Sequence, residues 1–206
     1  MKLTPRTSKD RWQETHNRIL SSAERLFANK GFNGTSMNDI VSESGLSKGA
    51  IYSHFESKER LFLSLWERQT TGGIEQLRQM FSPGDTAVDK LLKVAEVTMV
   101  SSCNCPQEVV RIQLEFMIAA SRMAALGPDL QKRYETIHRF IVDIVEEGIK
   151  SGEFKSDIDS KSLTSLLFAT FEGLSLHYAT LGIKFDSKKL QQTLANLVFK
   201  GILSKS

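Results

Sequence analysis

Apolar residues return at helical intervals along most of this chain. Ile19, Leu20, Ala23, Leu26 and Phe27 follow i, i+1, i+4, i+7, i+8 spacing and line one face of a helix. Gly31, just after Lys30, suits a left-handed helix end. Thr35 or Ser36 can cap a second helix, Ser36-x-x-Asp39 approximates a capping box, and Met37, Ile40 and Val41 supply the buried face. Gly45 fits a tight reversal, and Leu46 turns back into a small core. Ser47 caps a short third helix with Ile51 and Phe55 inward. Ser57 caps a fourth, with Leu61, Phe62 and Leu65 inward.

The remainder reads as helices separated by turn residues. The fourth helix extends to about Phe81, and Gly72-Gly73 marks either a bend in it or its end. Further helices are predicted from Thr86 to about Ser102, Gln107 to about Arg122, Gly127 to about Lys150, Asp159 or Ser160 to about Leu181, and Ser187 to about Leu203. No alternating strand-like run appears. The expected fold class is all-α: an N-terminal three-helix helix-turn-helix domain over 1–56, then a C-terminal helical ligand-binding and dimerisation domain over 57–206.

Two short helices joined by a glycine turn form a helix-turn-helix, whose second helix enters the major groove of DNA. Its outward residues are Lys48, Gly49, Ala50, Tyr52, Ser53 and His54. Gly49 and Ala50 let the backbone approach the bases, and the Ala50 methyl suits a thymine methyl. Lys48, Tyr52, His54 and Lys58 suit phosphate oxygens, which fix position rather than sequence. Thr35 and Ser36 can donate from the start of the preceding helix, where free N–H groups also favour an anion.

Charge placement agrees. Of 27 Lys or Arg and 24 Asp or Glu, residues 1–68 hold 11 and 8, which leaves 16 of each in the rest. The whole excess of +3 therefore sits in the DNA-binding part. The first dozen residues, MKLTPRTSKDRW, carry Lys2, Arg6, Lys9 and Arg11 and read as an unstructured basic arm, which either lies along DNA or is simply a frayed terminus. Neither a phosphate-binding glycine loop nor an HExxH zinc motif is present, and an enzyme is not expected. There is no signal-peptide core and no apolar run of membrane length, so a cytoplasmic protein without membrane association is expected.

From Ile19 to Trp66 the chain resembles the DNA-binding domain of TetR/AcrR transcriptional regulators. The resemblance rests on Ala23, Leu26-Phe27, Lys30-Gly31-Phe32, Thr35-Ser36, Asp39-Ile40, Gly45-Leu46-Ser47-Lys48-Gly49, Ile51-Tyr52, His54-Phe55 and Ser57-Lys58-Glu59, extended by Leu61 and Phe62. Val41 and Ser44 depart from the family's usual alanines. The resemblance implies an all-α homodimer on a double-stranded DNA operator. Its C-terminal domain would bind a small effector that releases DNA, and its last two long helices would form a four-helix dimer interface. Residues 163–178 are apolar on more than one face, and Leu190, Leu194, Leu197, Val198 and Ile202 stripe the last helix. Leu166, Gly173, Leu174, Leu194, Leu197 and Val198 are the expected interface residues, Gly173 allowing close helix approach.

A small hydrophobic effector is expected to lie among Trp66, Met99, Phe116, Met117, Phe140, Phe168 and Phe171, with His177 orienting a polar group. Arg111, Glu115, His138 and Glu172 are further polar candidates. Two other readings stay open: an architectural DNA-binding protein without an effector, and a metal or redox sensor built on Cys103 and Cys105. No cofactor and no resident metal are expected.

Overall fold

The computed structural model describes residues 7–104 and 107–203, without the side chains of 99–104 and 108. The described residues form nine α-helices and one short 3₁₀ helix: α1 (Ser8–Lys30), α2 (Met37–Ser44), α3 (Lys48–His54), α4 (Lys58–Met80), α5 (Ala87–Asn104), α6 (Gln107–Ala120), the 3₁₀ turn Ala124–Leu126, α7 (Gly127–Ser151), α8 (Ser160–Leu181) and α9 (Ser187–Ile202). The fold is all-α, with an isolated bridge between Phe154 and Leu203.

Two predictions about elements are corrected. Residues 8–12 belong to α1 and not to a loose arm, because Thr7 and Asp10 form a reciprocal capping box ahead of it. Lys2 and Arg6 lie outside the described residues. Gly72-Gly73 does not end α4, which stays helical to Met80.

The chain forms two compact units. The first comprises the described residues through Gln69 together with Arg111–Gly127; the second comprises Thr70–Val110 and Pro128 onward. The division expected after residue 56 therefore falls inside the first unit. The cause is visible in its core. Leu61, Phe62 and Leu65 of α4 are buried, and Phe32, Phe62 and Phe116 form a ring cluster, with Phe62 stacked on Phe116 at 4.5 Å between centroids. Each such buried ring contributes roughly 1.5–3 kcal/mol, which is enough to hold α4's first half and residues around 116 to this unit.

In the second unit, Leu91 and Val94 of α5 meet Phe140, Ile141, Ile144 and Val145 of α7, together with Phe154 and Ile202. The Glu153 carboxylate accepts the N–H groups of Ala87 and Val88, both at 3.2 Å, and so caps α5 from a distant loop.

Candidate nucleic-acid interface

The helices expected to face DNA are fixed by caps. Ser36 and Asp39 form a reciprocal capping box at the start of α2. Lys30 also donates to Asp39 at 2.7 Å. This lysine and the Ser36 hydroxyl hold the Asp39 carboxyl below the usual carboxylate range. Gly45 takes the left-handed conformation at φ 63° that reverses the chain after α2. Ser44, one of the two departures from the family's alanines, is buried there. Its hydroxyl donates to the Val41 carbonyl and accepts the Leu46 N–H.

Ser47 caps α3 by accepting the Ala50 N–H at 3.2 Å. The string Gly45-Leu46-Ser47-Lys48-Gly49 also satisfies the letters of a nucleophile elbow. An elbow joins a strand to a helix, whereas this turn joins α2 to α3 and its serine is a cap.

Ile51 of α3 is fully buried, and Lys48, Gly49, Tyr52 and Ser53 are exposed on the opposite side, with Ala50 half-buried between them. Lys48 Nζ lies 5.8 Å from the Tyr52 ring centroid, one helical turn away. This row presents a cation, a phenol and a hydroxyl beside a position with no side chain. That chemistry suits a phosphate backbone flanking accessible base edges. Ser36 is exposed at the start of α2.

Three residues expected to face DNA serve the fold instead. Thr35 is 1% exposed, and its hydroxyl donates to the Gly31 carbonyl at 2.8 Å. Lys58 donates to the carbonyls of Phe32 and Thr35 at 2.9 and 3.0 Å and sits 4.5 Å above the Phe32 ring. It closes the turn after α1, so its ammonium is committed to that turn. His54 packs 4.6 Å from Trp12 and 5.6 Å from His16. Burial lowers the pKa of His54; burial, then His54 and Arg68, lower that of His16. Both imidazoles thus favour the neutral form, and their buried Nδ1 atoms have no hydrogen-bond partner among the described residues. Trp12 and His16 escaped the sequence reading, although Thr7-x-x-Asp10 was a readable start for their helix.

The expected effector residues divide between the two units. Trp66 and Phe116 belong to the first unit, where their rings lie 5.5 Å apart and Phe116 is fully buried. Met117 is in the same unit and is 44% exposed. These three are core and surface of that unit rather than one cavity lining. The Met99 side chain lies outside the described part. In the second unit, Phe140 stacks on Phe81 and Phe168 meets Tyr134 edge to face; His177 is exposed. Phe171 does line a partly open apolar cavity of about 40 Å³, with Leu91, Ala95, Leu167, Leu194 and Val198 among its other walls. Of the polar candidates, His138 bonds the Lys161 carbonyl and the Ser165 hydroxyl. Burial pushes the Glu172 carboxyl up against the lowering pull of Arg133. Glu115 accepts a backbone N–H in the first unit.

The expected interface residues divide as well. Leu166 and Leu197 are 69% and 70% exposed, and a Cβ on Gly173 would meet nothing within 4 Å. Leu174 and Leu194 pack around Phe171, and Val198 packs on the core of the second unit, each of them partly buried. Among the described residues no three His, Cys, Asp or Glu side chains cluster as metal ligands. The Cys103 side chain and Cys105 lie outside the described residues. No helix among those described is long and apolar enough to cross a membrane.

Comparison with known proteins agrees at both ends of the chain. A family model described as bacterial regulatory proteins, tetR family, matches residues 19–65. One described as tetracyclin repressor-like, C-terminal domain, matches residues 95–203. The HTH-type transcriptional regulator AcrR of Shigella flexneri is 40% identical over 193 residues, covering 89% of this chain and 87% of the relative. The fatty acid metabolism regulator protein of Bacillus subtilis is 24% identical over 187 residues, 91% of this chain and 95% of the relative. Among solved structures, the transcriptional regulator FadR from Bacillus subtilis in complex with stearoyl-CoA superposes with a TM-score of 0.74 at 21% identity. That match covers 91% of this chain and 99% of FadR.

Proposed function

Since the chain belongs to the tetR family of bacterial regulatory proteins, and is therefore a DNA-binding transcriptional regulator and not an enzyme, we propose that it is a repressor. In this reading a homodimer holds a palindromic operator and is released by a small, mostly hydrophobic effector. The observation that carries the reading is the exposed row Lys48, Gly49, Tyr52 and Ser53 on α3, opposite the buried Ile51. One such helix reads half a palindrome. Two must stand about 34–36 Å apart, one turn of DNA, and a second copy of the chain supplies the other. The exposed Leu166 and Leu197 on α8 and α9 give that copy an apolar surface to cover.

The effector side rests on the cavity beside Phe171. At about 40 Å³ it is too small for a long acyl chain, so such a ligand must part the surrounding helices. A ligand that prefers the parted state shifts the population away from DNA, whereas equal affinity for both states releases nothing. The relative solved with stearoyl-CoA makes long-chain acyl compounds the first to test.

The experiment begins with selection of duplexes from a random pool, which should return a palindrome. Stearoyl-CoA is then titrated into the operator complex of wild type and of Ala95→Leu, followed by fluorescence anisotropy. Wild type should release DNA, and the filled variant should bind DNA normally but need at least tenfold more ligand. A non-palindromic consensus would sink the dimeric reading. Equal sensitivity of the two proteins would remove the ligand from this cavity.

A further inference from the structure

The turn between α1 and α2 is held by two charged side chains of opposite sign, neither of which belongs to it. Lys58 of α4 donates to the carbonyls of Phe32 and Thr35 at 2.9 and 3.0 Å. Glu115 of α6 accepts the Asn33 N–H at 3.1 Å, across 82 residues of sequence. The same carboxylate lies against Gly31, where a Cβ would meet its Oε2 at 3.4 Å. Between these two anchors Phe32 is buried, 5.5 Å from the Phe116 ring that follows Glu115. The turn is thus gripped at its carbonyls, at an amide and at its one large side chain.

We propose that Glu115 is a positioning residue for DNA binding: by holding the Asn33 amide it fixes the turn from which Ser36 and the first turn of α2 are presented to a phosphate. Glu115 makes this contact from outside the helix-turn-helix and from α6, where no DNA-facing residue is expected. The inference rests on the reading that the start of α2 meets DNA.

The direction of the effect separates positioning from charge. Removing a carboxylate from a DNA-binding unit should tighten binding if charge alone decides, since the phosphate backbone repels it. Removing an acceptor that orients the turn should weaken it. A lost hydrogen bond to a charged group corresponds to a change on the order of tenfold.

The test compares Glu115→Met, which keeps length and apolar packing but has no oxygen acceptor, with Glu115→Gln, which keeps a carbonyl. Both lose the charge. Glu115→Met should weaken operator binding about tenfold with the salt-dependence slope unchanged, because no phosphate contact of its own is lost. Glu115→Gln should stay within about twofold of wild type, as a conserved acceptor requires. Amide hydrogen exchange at Asn33 should be slow in wild type and in Glu115→Gln and fast in Glu115→Met. Two variants that bind as tightly as wild type or tighter would overturn the proposal. So would a rapidly exchanging Asn33 amide in wild type, a measurement that needs no variant to fold. Ser36→Ala tests the supporting reading separately: full affinity there takes the start of α2 off the DNA, while the Asn33 exchange still reports on the clamp.

Discussion

Gly148 stands where a helix has no room for a side chain. A Cβ there would fall 2.3 Å from Phe154 Cδ2 and 2.8 Å from the Ala87 methyl, and Phe154 is itself 1% exposed. Two effects of Gly148→Ala oppose each other. Helix propensity favours alanine by about 1 kcal/mol. Overpacking against a fixed ring costs about 1–3 kcal/mol. The ring has no open side to move toward, so overpacking should win and the melting temperature should fall by several degrees. A rise in that temperature would mean Phe154 gives way. The sequence holds no sign of this constraint. Gly148 reads like Gly72, Gly73 and Gly173, where a Cβ meets nothing within 4 Å; the difference is made by residues far along the chain. Thr35, Lys58 and His54 were opaque in the same way. Each has the right chemistry for phosphate, but Thr35 turns back to the Gly31 carbonyl of its own turn, and the partners of Lys58 and His54, the turn carbonyls and the Trp12 ring, are set by tertiary packing.

Helix limits are different, because capping is local and lies open in the sequence. Ser36, Ser47, Asp159 and Gly182 end their helices as their side chains or conformational freedom dictate. The miss at the start of α1 has a plain cause: its apolar stripe begins at Ile19, eleven residues after the helix's first residue, so periodicity could not extend it back to Thr7. Gly72-Gly73 failed to break α4 because both lie in open space on a helix anchored by Leu61, Phe62 and Leu65. The box at α2 also carries a pH dependence. The Asp39 carboxyl is held low by Lys30 and Ser36. In acid the unfolded chain takes up this proton first, so stability from the box is complete above the ordinary carboxylate pKa of about 4 and is lost as pH falls through and below it. Thermal melts of wild type and Asp39→Asn should therefore differ most near neutral pH, with the gap narrowing steadily as pH is lowered below about 4. A gap that keeps its size across that range would show that Asp39 does not act through its charge.

At the scale of the whole molecule, the excess of apolar residues in α8 and α9 was legible, but its allocation was not. Periodicity marks several stripes as apolar without saying which one the chain's own core will use. Leu174, Leu194 and Val198 lean against that core and are partly buried, whereas Leu166 and Leu197 are left out. Leu166→Glu with Leu197→Glu should thus spare the single chain's fold and abolish self-association. Sedimentation should show a monomer with an unchanged helical spectrum, and operator affinity should fall by at least tenfold as the second recognition helix is lost. A double variant that sediments as a dimer would place the association surface elsewhere. The first unit, finally, is not a continuous piece of chain, since Arg111–Gly127 completes it. Its ring cluster takes Phe32 and Phe62 from the N-terminal segment and Phe116 from much later. This limits how such proteins can be recombined. A DNA-reading head grafted onto a foreign sensor at a single crossover leaves Phe116 and Glu115 behind, and the recipient's own helix must offer a ring and an acceptor at the same two places. Compatible exchanges therefore need matched residues at positions that no alignment of the helix-turn-helix alone would compare.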